Sequence, residues 1–190
     1  MELRDFTREG ERYIQNHQKT HLIDARDQLV FERYLEPVWM PDLSFPTMTL
    51  RRVYLTPLQV EFDCVADAIH VTWGNPSAGN FRVGLYRDNG YTPVGGALLG
   101  ESGSIAKAGI NLSQVVMLAD TPLNAGIYWV AVVGDESTTL FMSTNNAVIT
   151  GGYVQSHYYD LGAYGPLTNP CPATITGTLQ VFWSLLRVKG

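Results

Sequence analysis

The sequence predicts a mainly β fold: an antiparallel β-sandwich of the jelly-roll type, preceded by a charged, partly helical N-terminal arm. Three observations predict it. Past residue 46, apolar and polar residues alternate in short runs, and turn residues separate these runs about every 8 to 12 positions. The first 40 of the 190 residues, by contrast, hold 14 of the Asp, Glu, Lys and Arg residues. We therefore expect an arm over residues 1–45 and a sandwich domain over residues 46–190.

The stretch LIDARDQLVFERYLEP, residues 22–37, predicts a helix in the arm. It contains good helix formers, its acids and bases recur at helical spacing, and Pro37 would stop it. Its apolar stripe is narrow, so the helix would be marginal in isolation and would need a surface to pack on. We expect the arm to attach the chain to a neighbouring subunit through five residues: Leu22, Ile23, Leu29, Val30 and Tyr34.

The period of the apolar residues changes to two after Pro46. LQVEFDCV, residues 58–65, alternates as a half-buried antiparallel strand does, and AIHVTW, residues 68–73, repeats the pattern. FRVGLYRDNG, residues 81–90, begins as a strand and ends in a turn that suits left-handed backbone. The residues expected to share the buried face of these strands are Leu58, Val60, Phe62, Cys64, Ile69, Val71, Trp73, Phe81, Val83 and Leu85.

Further strands are predicted downstream. GIYWVAVVGD, which begins at Gly126, is apolar on both faces and therefore predicts a strand in the centre of a sheet. Gly84 would let a neighbouring strand or ring come close, because it has no Cβ. The other predicted strands are residues 114–118, 138–143, 147–151 and 179–188.

Composition and charge exclude several classes of protein. The formal net charge is −5 and the isoelectric point is about 5.3, whereas nucleic acids and anionic membranes select clustered Lys and Arg. No apolar run reaches the ~20 residues of a membrane-spanning helix, and the charged start MELRDFTREGER does not read as an export signal. We expect no nucleic-acid or membrane partner, and synthesis in the cytoplasm.

Residues that could carry catalysis have simpler interpretations. His17 and His21 have the spacing of two metal ligands on a helix, but no third ligand accompanies them, and Cys64 and Cys171 match no zinc motif. No GxSxG elbow or phosphate-binding loop is present. Four carboxylates fall at turns, where local hydrogen bonding explains them: Asp88, Asp135, Glu136 and Asp160. We expect no enzymatic activity, no cofactor and no bound metal.

The stretch GGYVQSHYYDLGAYG, residues 151–165, is the strongest candidate for a contact site. We expect it to be a loop, and tyrosines beside small polar residues make adaptable surfaces for proteins and for the faces of sugars. The alternative is that half of these rings cap the open end of the sandwich. The candidate contact residues are Tyr153, His157, Tyr158, Tyr159 and Tyr164.

Three stretches together resemble a β-sandwich module of structural proteins in tailed bacteriophages: FRVGLYRDNGYTPVGGALLGESGS, TPLNAGIYWVAVVGD and LQVFWSLLRVKG. The resemblance rests on their order and spacing and covers roughly residues 55–190. It implies a non-enzymatic component of the virion, which we expect to be a head decoration or cement protein held by its arm. It also implies other virion proteins as partners and a homo-oligomer, for which we expect a trimer.

Two other functions remain open on the sequence alone. A tail, baseplate or fibre accessory protein fits the resemblance almost as well, and the tyrosine-rich stretch would then hold a glycan of the host surface as an adhesin. An enzyme, such as a glycan hydrolase working through Asp160 or Glu136, is the third. Binding to a glycan array separates the second function from the first.

Overall fold

The structure is a computed structural model that describes residues 19–25, 28–35, 43–44, 47–72, 79–107, 113–136, 142–143, 147–149, 152–178, 181–182 and 184–189. Within these residues the regular elements are strands. They are β1 (Lys19–Ala25), β2 (Gln28–Leu35), β3 (Leu43–Ser44), β4 (Arg52–Val60), β5 (Cys64–Thr72), β6 (Asn80–Arg87), β7 (Leu98–Glu101), β8 (Ile105–Ala106), β9 (Ser113–Leu123), β10 (Gly126–Gly134), β11 (Met142–Ser143), β12 (Ala147–Ile149), β13 (Gly152–Val154), β14 (Ser156–Asp160), β15 (Thr176–Thr178), β16 (Val181–Phe182) and β17 (Ser184–Lys189).

Two large antiparallel sheets form the body of the protein. The five-stranded sheet has the order β1-β2-β17-β5-β9, and the seven-stranded sheet has the order β15-β14-β4-β10-β6-β7, with β8 pairing to β6. Two smaller sheets, β16-β11-β3 and β12-β13, accompany them. The predicted mainly β, antiparallel fold is confirmed.

The two large sheets share one buried cluster. Ile69 of β5 and Leu186 of β17, from the first sheet, belong to the same cluster as Leu58 of β4 and Val130 of β10, from the second. Burying apolar side chains from both sheets removes them from water, which is the main force that holds such layers together. Nine of the ten residues predicted to share the buried face are described; eight belong to this cluster, and Phe62 packs against it.

A second buried cluster lies on the other face of the seven-stranded sheet. Residues 161–175, which we call the strap, run across this face and contribute Leu167 and Cys171 to it. Trp129 of β10 is fully buried there, while Val130 is fully buried in the first cluster. The prediction that β10 is a central strand with two apolar faces is therefore confirmed, because β10 lies between β4 and β6 with both faces covered.

The strap is held against the loop that follows β6. Cys171 N–H donates to the Gly96 carbonyl oxygen at 3.0 Å, and Gly95 N–H donates to the Cys171 carbonyl oxygen at 2.9 Å. Leu167 lies so close to Gly84 that a Cβ on Gly84 would collide with its side chain. The neighbouring strand predicted to come close at Gly84 is β7, whose Gly100 carbonyl oxygen would lie 3.1 Å from that Cβ, and the leucine of the strap was not predicted.

Where the structure describes the segment predicted as a helix, at residues 22–25 and 28–35, it has strands. β1 and β2 pair antiparallel, and β2 pairs in turn with the C-terminal strand β17, with Leu35 opposite Leu186. The sequence QLVFERYL contains β-branched and aromatic residues that suit a strand, and helix propensities differ by only fractions of a kcal/mol per residue. Pairing with a distant strand outweighs such a small preference. The rest of the arm, including residues 1–18 and 36–42, lies outside the described residues.

Two other predicted boundaries are corrected. The stretch 58–65 is not one strand: β4 ends at Val60, the chain turns, and β5 begins at Cys64. Apolar and polar residues keep alternating through the turn, so the alternation alone does not reveal that the strand ends there. The stretch 153–164 is not a continuous loop either, because β13 and β14 occupy it up to Asp160.

Candidate functional site

Two buried tyrosines anchor the strap through a closed ring of hydrogen bonds. Tyr86 O–H donates to the Thr168 carbonyl oxygen at 2.7 Å, and Tyr159 O–H lies 2.9 Å from the Tyr86 oxygen. Thr168 N–H donates to the Tyr159 oxygen at 3.4 Å. Since the Tyr86 hydrogen is used on the carbonyl group, Tyr159 donates to Tyr86. Burial, and the hydrogen bond between them, raises the pKa of Tyr86, and burial raises that of Tyr159.

Beside this ring, His157 packs against Trp129. The centroids of the two rings are 5.5 Å apart and the planes meet at 50°. Trp129 Nε1–H donates to Asp88 Oδ1 at 2.7 Å, which ties the buried indole to the loop after β6. His157 Nδ1 is buried and has no hydrogen-bond partner among the residues that the structure describes, and burial lowers the pKa of this imidazole. Burial therefore favours the neutral imidazole, and His157 packs against Trp129.

Tyr158 faces the other way, towards the core between the sheets. The guanidinium carbon of Arg52 lies 3.9 Å from the centroid of the Tyr158 ring. Arg52 also binds Asp160 with two nitrogens, Nε to Oδ1 at 2.8 Å and Nη2 to Oδ2 at 3.3 Å. These contacts organise the end of β14 and leave Tyr158 half-buried.

Tyr164 belongs to the strap and lies near Ser104 and near Arg82 of β6. Its hydroxyl is 3.0 Å from the Ser104 hydroxyl, and the Arg82 guanidinium lies 5.7 Å from its ring centroid. Arg82 Nη1 donates to Glu101 Oε1 at 3.1 Å, and the same oxygen accepts a hydrogen bond from Leu167 N–H at 3.0 Å. Burial raises the pKa of Tyr164.

The structure therefore does not bring the five predicted contact residues together: three lie in β14, where Tyr158 is on one face of the sheet and His157 and Tyr159 are on the other, Tyr164 is in the strap, and Tyr153 is in a separate sheet. Tyr159 is buried, with 5% of its surface exposed, and is occupied inside this chain. His157, Tyr158 and Tyr164 are half-buried. Tyr153 lies in β13, opposite Val148 of β12. Neighbouring residues of a strand point to opposite faces, so a cluster that is continuous in sequence is divided in space.

The predicted attachment residues all lie in the N-terminal hairpin. Leu22 and Ile23 are in β1, opposite Phe31 and Val30 of β2. Leu29 and Tyr34 are also in β2, and Tyr34 is opposite Arg187 of β17. Their role in attachment stays a prediction.

Three of the four carboxylates expected at turns have partners that build the local structure, although Asp160 is the last residue of β14 and not a turn residue. Asp88 accepts from Trp129 and, through Oδ2, from Tyr91 N–H at 2.8 Å. Asp135 accepts from the backbone and side-chain nitrogens of Asn80, at 2.6 and 2.9 Å, and Asp160 accepts from Arg52. Although burial alone raises the pKa of Asp135, the hydrogen bonds from Asn80 lower it overall. Glu136 is exposed.

One charged group was not anticipated from the sequence. Asp67 is 3% exposed and sits where the register between β5 and β17 shifts. Arg187 Nε donates to its Oδ1 at 2.7 Å, and Lys189 Nζ lies 3.4 Å from Oδ2. Burial raises the pKa of Asp67, but its bonds to Arg187 and Lys189 lower it overall. The only sequence signal is an aspartate inside an apolar strand, and it does not identify the partners.

The two cysteines are free and buried on opposite sides of the seven-stranded sheet, Cys64 in the first cluster and Cys171 in the second. The part of the chain that the structure describes brings no three His, Cys, Asp or Glu side chains together as metal ligands. His17 lies outside that part, and His21 is in β1. No helix among the described residues has the length and apolarity to cross a membrane.

No protein-family model matches the chain, and a search of curated proteins finds no match.

Proposed function

We propose that the chain is a non-enzymatic structural component of a tailed-phage virion, a decoration or cement protein of the head with a jelly-roll-like sandwich. The observation that carries the proposal is the seven-stranded sheet, which is covered on both faces by the other sheet and by the strap. Such a body is a stiff, doubly packed block that suits load-bearing contacts between subunits. The resemblance of the three stretches to phage modules supplies the class of protein.

The N-terminal hairpin is the proposed attachment element. β2 adds to the body through β17, which leaves β1 as the outermost strand of the five-stranded sheet. Outer strands offer backbone donors and acceptors to another chain, so β1 is suited to pairing with a virion subunit. This replaces the helical tether expected from the sequence with a strand.

Incorporation into particles tests this function. Deletion of residues 1–25, which removes β1, should leave a folded sandwich that no longer joins purified particles, while the full chain is found on the head in an electron-microscopy map. Replacing the exposed Leu50, which lies in a turn before β4, by alanine is the control and should not affect incorporation. A full chain absent from particles, or retained after the deletion, contradicts the proposal.

A second candidate is an adhesin for a host-surface glycan. Tyr164 favours it, because a half-buried ring with a hydroxyl beside Ser104 and a cation over its face can hold a sugar. Full-length protein should bind a glycan array. Tyr164→Phe, which removes only the hydroxyl, should weaken binding, and Tyr164→Ala, which removes the ring as well, should weaken it more. No binding on the array rejects this candidate without affecting the first.

A further inference from the structure

A tyrosine projects from the turn that follows β6. Tyr91 is 69% exposed, more than any other large apolar or aromatic residue among those described. Its φ is +64°, and that of the preceding Gly90 is +77°. Left-handed backbone disfavours a bulky side chain, and at a tip such as this Asn or Gly would serve at lower cost. The backbone of Tyr91 is therefore in a conformation that is unfavourable for a bulky residue, and the rest of the chain does not bury the ring in return.

The turn that carries Tyr91 is built rigidly. Asn89 N–H donates to the Thr92 carbonyl oxygen at 2.9 Å, and Asn89 Nδ2 donates to the Val94 carbonyl oxygen at 2.9 Å. Asp88 holds Tyr91 N–H with one oxygen and the buried Trp129 with the other. Because these bonds already fix the backbone that carries the ring, little further backbone has to be ordered when a partner covers it.

A shallow cavity of about 450 Å³ opens near the same end of the molecule. Val65, Pro122 and Leu123 supply apolar walls, and Asp63 and Asp120 supply carboxylates. Lys189 also lines it, with its ammonium 2.8 Å from Asp120, so the cavity keeps a net negative charge. A cavity of this size and composition accepts an aromatic ring with a donor at its tip.

The strand registers place the tyrosine and the cavity at one end of the sheets. Arg87, at the end of β6, is opposite Tyr128 near the start of β10. Gly126, where β10 begins, is opposite Val60. The loops after β4 and β9 meet at the cavity, because Ala125 N–H donates to Asp63 Oδ1 at 2.9 Å.

We propose that two copies of this chain associate end to end, with Tyr91 of each copy inserted into the cavity of the other. The Tyr91 ring would lie against Val65 and Pro122, and its O–H would donate to Asp63 or Asp120. The exposed Arg87 brings positive charge to the partner's acidic cavity. Because each copy offers both parts, a two-fold axis closes the pair. The inference does not depend on the virion function.

Sedimentation of the full-length chain over a concentration series tests the pair. The wild type should form dimers, and Tyr91→Ala should weaken association by at least about tenfold, as truncation of a central interface tyrosine does. Pro122→Arg, which puts a long cation at an exposed wall of the cavity, should weaken it as well. Leu50→Ala, a change at another exposed apolar residue, should leave it unaltered.

A mixing experiment tests whether Tyr91 of one copy enters the cavity of the other, or whether each substitution only damages the surface around it. Tyr91→Ala keeps an intact cavity and Pro122→Arg keeps an intact tyrosine, so a mixture of the two should regain one contact and form more dimer than either variant alone. Tyr91→Asn should melt no lower than the wild type while dimerising as poorly as Tyr91→Ala. A wild-type monomer at every concentration, a dimer or trimer indifferent to Tyr91, or a mixture without regained dimer overturns the proposal.

Discussion

His157 shows how one residue can make stability depend on pH. Its pKa is lowered below the ordinary value by burial, and no group in the described part of the chain makes a hydrogen bond with Nδ1. In the unfolded chain the imidazole takes up a proton near pH 6.5, whereas in the folded protein it does so only at lower pH. The unfolded state thus binds more protons in this window. Stability contributed by neutral His157 is present above about pH 6.5 and is lost as the pH falls towards the lowered pKa.

We therefore predict that the melting temperature falls between about pH 7 and pH 5 by more in the wild type than in His157→Gln. The measurement is thermal unfolding by circular dichroism at both pH values. All other titrating groups are common to the two proteins, so the difference reports on His157. An equal fall in melting temperature in the two proteins would contradict the role assigned to His157.

Gly96 is required by a close contact and not by its backbone angle. A Cβ at this position would collide with the Arg87 carbonyl oxygen, a backbone atom that cannot move aside without disturbing the end of β6. Gly103 has nothing within 4 Å of the same position. We predict that Gly96→Ala destabilises the fold by roughly 2 kcal/mol, a typical cost of overpacking, while Gly103→Ala has little effect. Urea unfolding of the two variants measures the difference, and similar values would refute it.

At the scale of elements, the strap is tied to β6 and β14 by the tyrosine ring. Removing the Tyr86 hydroxyl leaves the Thr168 carbonyl group without its donor. We predict that Tyr86→Phe costs about 1 to 3 kcal/mol in the free energy of unfolding, the penalty of an unsatisfied buried polar group. Chemical denaturation of the variant measures the loss.

A double-mutant cycle tests whether the ring acts as a unit. Tyr159→Phe removes the hydrogen that Tyr159 donates to Tyr86, so the two substitutions disrupt the same network. The double variant should lose less stability than the two single losses added together. Strict additivity would show that the two hydroxyls contribute independently.

At the scale of the whole molecule, the seven-stranded sheet separates the two cysteines. Burial raises the pKa of Cys171 to about 12, and burial with the nearby Asp63 raises the pKa of Cys64. Thiolates react and thiols do not, so both should be inert in the folded protein. We predict no alkylation by iodoacetamide at about pH 8 until the protein unfolds, when both react. Mass spectrometry counts the labels, and labelling of the native protein at Cys171 would show that the strap opens.

The alternation of side chains was predictable because it is local. Phe81, Val83 and Leu85 alternate with less apolar residues, and a strand turns every second side chain to the same face whatever it pairs with. The same reasoning identified β10 as central. It also placed turn residues after β6, because the need for left-handed backbone depends only on the residues themselves.

The candidate site was predicted less well, because its parts come from distant segments. Tyr159 meets Tyr86 across 73 positions, and Asp67 meets Arg187 across 120. Contacts between residues so far apart produce no periodic pattern in the sequence. The exposure of Tyr91 and the cavity were not predicted either, because exposure and concavity are properties of a folded surface and not of a sequence.

By itself the sequence determined an antiparallel β protein, the buried faces of its central strands and the turn after β6, since short-range sterics and apolar periodicity decide these. The tertiary structure alone decided that residues 19–25 and 28–35 pair as two antiparallel strands, that the strap covers the outer face of β10, and which tyrosines are buried. In each case a weak local preference yields to hydrogen bonds and buried surface supplied by distant strands, and only the folded chain brings those strands together.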